Sequence, residues 1–115
     1  ALSDALRRRC LYSYVDFPDE ARELAIVRAR LPGIDRRLAE QVVRFVQLLR
    51  REELEKTPGV AETLDWASAL IGLEIRSLDR SPEALQASLI CLLKTEADLK
   101  VVPAAVTARL VGKGA

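Results

Sequence analysis

Three consecutive arginines, Arg7-Arg8-Arg9, form the densest positive cluster of the 115-residue chain. A guanidinium presents a planar fork of donors that matches a phosphate, so this cluster could supply an arginine finger to a neighbour's nucleotide. The plainer reading is a solvated helix end, where cations complement the dipole. Pro58-Gly59-Val60-Ala61-Glu62-Thr63-Leu64-Asp65-Trp66 is the most distinctive stretch. It reads as a loop feeding a buried helix. Glu62 and Asp65 then fall in the first turn, where negative charge is favoured in any case, and Trp66 reads as a core anchor. The functional alternative is that this helix start faces a bound nucleotide. Tyr12, Tyr14, Phe17 and Trp66 could offer a stacking surface to single-stranded nucleic acid. The first three share one alternating segment and do not all point to one side, so sheet packing suits them better.

Much chemistry is missing from the chain. There is no histidine, which removes the commonest general base and metal ligand. The glycines are scattered, and no Gly-x-x-x-x-Gly-Lys-Ser/Thr loop cradles a phosphate. No acidic cluster has metal-ligand spacing, and no Ser, Cys or Lys has a visible base partner. These absences argue against an autonomous enzyme. Cys10 and Cys91 form no CxxC and read as buried, reduced thiols, which points to a cytoplasmic protein. Charged residues make up 30% of the chain yet the net charge is +1, so nothing pulls it strongly toward nucleic acid or anionic lipid. No apolar run approaches the ~20 residues that span a bilayer, and no signal peptide is visible.

The elements that must position these residues are helices. Leu, Ala, Val, Arg and Glu dominate, and only 4% of residues are aromatic, so the pattern predicts an all-α, compact helical bundle. Ser3 or Asp4 could cap a short helix through Arg9. Cys10 to Val15 alternates and is the only strand-like signal; a lone strand needs a sheet from elsewhere. Together with Ala1 in first place, this reads as a cut through a longer protein. A helix is expected from Pro18 to about Leu31, with Ala21, Leu24, Val27 and Leu31 inside and Glu20, Arg22, Glu23, Arg28 and Arg30 outside. A long helix should run from Asp35 to about Glu53. Its inner face is Leu38, Val42, Phe45, Val46 and Leu49, and Arg36, Arg37, Glu40, Arg44, Arg50 and Arg51 cover the other side. A third helix is expected from Ala61 to Leu73, where Leu64, Ala67, Ala69, Leu70, Ile71 and Leu73 leave few polar positions and point to a central place. Ser81 and Pro82 open a fourth, whose stripe is Leu85, Leu89, Leu92 and Leu93. Weaker helical pieces follow Thr95 and span Ala104 to Val111, and residues 112–115 read as a frayed tail.

The order of these motifs resembles a known family. Leu2-Ser3-Asp4-Ala5-Leu6-Arg7-Arg8-Arg9-Cys10-Leu11-Tyr12 is similar to the end of an AAA+ core, where a short helix ends in an arginine before the last core strand. Tyr14-Val15-Asp16-Phe17-Pro18-Asp19-Glu20 resembles the crossing into the helical lid. Ala25-Ile26-Val27-Arg28-Ala29-Arg30-Leu31-Pro32-Gly33 and Pro58 to Trp66 are spaced as in MoxR-type AAA+ ATPases, in the group encoded beside von Willebrand factor A-domain proteins. The resemblance extends through about Leu93.

That resemblance implies the end of a core over 1–17, a lid domain over 18–111 and a tail over 112–115. It implies that Arg9 is an arginine finger acting in trans. It places the family's second nucleotide-sensing arginine at the helix start near Ala61, where this sequence has Glu62, with Asp65 one turn on. Either that sensor is lost or another arginine such as Arg76 replaces it. ATP and Mg2+ would belong to the full-length parent, with none held by this segment alone. The implied partners are the AAA+ core of the same chain, neighbouring subunits of a homo-oligomeric ring and a von Willebrand factor A-domain protein, with no nucleic acid and no membrane. The implied role is chaperone-like remodelling or metallo-enzyme maturation. Two readings from other classes stand beside it: a helical adaptor that binds a protein through an apolar groove, and an Arg-rich nucleic-acid binder, the weakest because acidic residues interleave.

Overall fold

The Asp19 side chain caps the first described helix and accepts a hydrogen bond from the Arg22 amide at 2.8 Å. The computed structural model describes the backbone of residues 17–114 and the side chains of residues 17–112. The expected helix ending at Arg9, the strand-like segment Cys10–Val15 and Arg9 itself lie outside the described residues. Among the described residues every regular element is helical, as composition and periodicity predict.

Helix α1 spans Glu20–Arg30 and stops before Pro32. Helix α2 spans Arg36–Leu49, with Asp35 as cap accepting from the Leu38 amide at 3.3 Å. It ends about one turn earlier than its charged continuation suggests. Helix α3 spans Val60–Gly72. Helix α4, Pro82–Ser88, runs into a 3-10 turn over Leu89–Cys91. Pro82 occupies its first turn, but the Ser81 hydroxyl makes no capping bond. Helix α5 spans Glu96–Val101, with Thr95 as cap. Helix α6 spans Ala104–Gly114, so the backbone expected to fray after Val111 continues as helix.

Helix α2 is the centre of the bundle and touches α1, α3 and α6. Its five expected inner residues are all buried. Ala39 and Val43 are buried as well and meet Val27 of α1, so two apolar clusters lie on different sides of one helix. In the larger cluster Trp66 is fully buried, its ring centroid 5.0 Å from that of Phe45. The indole N–H donates to Ser88 Oγ at 2.8 Å, and that hydroxyl donates to the Leu85 carbonyl at 2.6 Å. The polar edge of the tryptophan is thereby satisfied inside an apolar setting. Leu85, Leu89, Leu92 and Leu93 are all buried, as expected.

Helix α3 departs from expectation at its end. Ile71 is 42% and Leu73 55% exposed, whereas Leu70 on the same turn is fully buried. Leu73 closes the helix and Glu74 follows with φ 60°. The Glu74 amide bonds the Ile71 carbonyl and the Ile75 amide reaches back to Leu70. This is the paired closure in which a left-handed residue satisfies the last carbonyls, and Ile75 rather than Leu73 becomes buried. Farther on, Asp98 of α5 is fully buried and accepts from the Glu55 and Lys56 amides at 2.6 and 2.9 Å. That carboxylate pins the irregular stretch between α2 and α3, whose amides have no helix to bond.

Candidate functional site

Two charged residues assigned to the outside of the bundle lie inside it. Glu23 is fully buried, and the Arg50 side chain is only 6% exposed. The cause lies in helical spacing. Glu23 stands four residues before Val27, and Arg50 four after Val46, so each shares a face with a core residue.

The pair is tightly built. Arg50 Nη1 donates to Glu23 Oε1 at 2.8 Å, and Nη2 donates to Oε2 at 2.6 Å. Gln47 Nε2 donates to Oε1 at 2.8 Å, and the Thr63 hydroxyl lies 2.9 Å from Oε2. The same hydroxyl is 3.1 Å from the Gly59 carbonyl, so its single proton serves both acceptors. Both carboxylate oxygens are hydrogen-bonded, Oε1 by Arg50 and Gln47 and Oε2 by Arg50 with the Thr63 hydroxyl beside it. Arg50 makes further contacts: Nε donates to the Pro58 carbonyl at 2.8 Å, Nη2 lies 3.3 Å from Thr63 Oγ1, and the guanidinium carbon lies 4.6 Å from the centre of the Phe17 ring. This stacking is a cation–π contact on a ring that is 40% exposed.

This network ties the incoming chain to the start of α3. Gln47 Nε2 also donates to the Pro18 carbonyl at 3.0 Å. Phe17 and Pro18, α1, α2, the Pro58 carbonyl and Thr63 thus meet around one neutralised charge pair. Sequence reading missed Glu23, Gln47, Arg50 and Thr63 as a set. The available signal was the i±4 relation of two charged residues to core positions.

The residues singled out on α3 behave differently. Glu62 is half-buried, and its Oε1 accepts from the Gly59 amide at 2.9 Å, which closes one half of a capping box. Ala61 and Asp65, four apart, are exposed on the first turns. The outward edge of this helix start is therefore negative, and Glu62 has a local structural task. Arg76 is exposed, past the far end of a 13-residue helix. Glu62 lies in the first turn of that helix, at the opposite end from Arg76. Among the described residues no group of His, Cys, Asp and Glu has the makings of a metal site, and no helix is long and apolar enough to cross a membrane. Cys91 is a free, half-buried thiol. The aromatic cluster is divided: Trp66 is core, Phe17 covers Arg50, and Tyr12 and Tyr14 lie outside the described residues. No family model, curated protein or solved structure matches the chain.

Proposed function

We propose that the chain is the helical lid segment of a MoxR-type AAA+ ATPase, a mechanical part that carries no catalytic group of its own within residues 17–114. One observation supports this most. The stretch that resembles the core-to-lid crossing, Phe17-Pro18, is bonded through Gln47, Glu23 and Arg50 to the helix start that resembles the nucleotide-facing end of the lid. A displacement at one place is thus carried to the other without a hinge between them.

The residues at the α3 start do not fit a phosphate. Glu62 is bound to the Gly59 amide and Asp65 is exposed and acidic, while the nearby Arg50 is committed to Glu23 and the Pro58 carbonyl. No phosphate contact is therefore derived for Ala61, Glu62 or Asp65. In this reading ATP and Mg2+ belong to a nucleotide-binding module elsewhere in the parent protein. Arg9 acts on a neighbouring subunit of a ring, and a von Willebrand factor A-domain protein is the partner in remodelling or metallo-enzyme maturation, in the cytoplasm.

The test is hydrolysis by the protein of the intact gene. That protein should turn over ATP, and Arg9→Ala should slow it by about 10³–10⁵-fold, as for other arginine fingers. The 115-residue chain alone should show no turnover. An intact gene with no phosphate-binding loop, or an Arg9→Ala protein of normal rate, overturns the proposal.

A further inference from the structure

The turn between α1 and α2 carries a local charge excess that the chain as a whole does not have. Residues 28–37 hold four arginines and one aspartate, in a protein of net charge +1. That aspartate, Asp35, is committed to capping α2. Arg37 acts on the Asp79 carboxylate, which the Ser77 hydroxyl holds below the usual carboxylate range, with Arg37 adding to the effect. Arg28 pairs with no carboxylate among the described residues. Arg36 meets only Glu40 of its own helix, with its side chain 74% exposed, and such a pair yields readily to a competitor.

Arg28 and Arg36 line an open depression of about 420 Å³ together with Ala25, Ala29, Leu31, Pro32 and Ile34. Ala25 and Ala29 are exposed and one turn apart on α1. Their small side chains leave the recess open where longer ones would fill it. An apolar lining shared with two guanidinium groups has the complement of an apolar side chain flanked by carboxylates. We propose that this recess docks an acidic segment of a partner protein, with one apolar side chain against that lining and its neighbouring carboxylates on Arg28 and Arg36.

The alternatives fit the surface less well. No aromatic ring lines the recess, so a nucleic-acid base would find nothing to stack on. Leu31 and Ile34 are half-buried rather than projecting, so no apolar face is ready to enter a lipid surface. The proposal does not depend on the ATPase reading.

The test uses the full chain and a short fluorescein-labelled peptide with one leucine set among aspartates and glutamates, read by fluorescence anisotropy. The peptide should bind, and its Leu→Ser version and a lysine-rich counterpart should bind about tenfold more weakly or worse. The double variant Arg28→Glu/Arg36→Glu should lose a similar factor. Ala29→Asp should do likewise, since a single change at an exposed helix position leaves folding nearly untouched. Trp66 fluorescence and thermal melting confirm that each variant is folded. The proposal is overturned if the peptide does not bind, or if a folded Ala29→Asp protein binds it unchanged. It is equally overturned if the Leu→Ser peptide, a single-stranded RNA or anionic vesicles bind as tightly.

Discussion

Replacing Arg50 by Met isolates the energetic weight of the buried pair. The substitution keeps much of the aliphatic stem and removes the charge. Glu23, fully buried, then loses two charge-assisted bonds and, among the described residues, its counter-charge at hydrogen-bond distance. Gln47 and Thr63 remain to it, but both are neutral. Breaking a buried pair from one side costs about 3–5 kcal/mol, because the remaining charge is stranded away from water. A domain of this size has about 5–15 kcal/mol of total stability, so the loss takes about a fifth of it or more. Trp66 is the single tryptophan and is buried, so its fluorescence follows urea unfolding directly. The midpoint should fall by roughly 2 M. Glu23→Leu should cost a similar amount by stranding the guanidinium. The double variant Glu23→Leu/Arg50→Met removes both charges, while Gln47 keeps the Pro18 carbonyl and Thr63 the Gly59 carbonyl. It should lie within about 2 kcal/mol of the starting protein, so the single costs exceed the double by about 3 kcal/mol or more. A cost for Arg50→Met below about 1 kcal/mol, the range of exposed pairs, would refute this reasoning. Strict additivity of the two single changes would refute it as well.

Three further outcomes follow from the packing. Trp66→Ala opens a cavity against Phe45 and strips Ser88 of its donor; calorimetry should show a loss of about 3–5 kcal/mol. Glu74→Gly should raise stability by about 0.5–1 kcal/mol, since φ 60° suits glycine better than a residue with a Cβ; a lower melting temperature would count against that account. Asp98→Ala leaves the Glu55 and Lys56 amides without their acceptor. It should cost about 2–3 kcal/mol, and hydrogen exchange at those two amides should accelerate, whereas Asp98→Asn, which keeps one carbonyl oxygen, should fall between.

The helical class and the main core stripe could be read from the sequence because they depend on one strong signal, apolar residues repeating every three to four positions. That signal placed Leu38, Val42, Phe45, Val46 and Leu49 on one face of α2, and all are buried. The same rule, applied to residue type before position, misplaced Glu23 and Arg50. A charged residue reads as solvent-facing unless its partner is known. Here the partners lie 27 residues apart, and no local pattern links them. Ile71 and Leu73 fail for the opposite reason: their type asks for burial, but a left-handed residue at Glu74 ends α3 and lets Ile75 take the core position. Glu62 is a third case. As an acidic residue three positions after Gly59, it satisfies the capping rule without any ligand. On α3 a local structural cause therefore accounts for the acidic residue at this helix start. The Glu23–Arg50 pair is different, because a buried ion pair is a weak source of net stability compared with apolar packing of the same volume. Its position between the incoming chain and the start of α3 gives it another use: it fixes one arrangement of those two segments, which a purely apolar contact would hold with less directional preference.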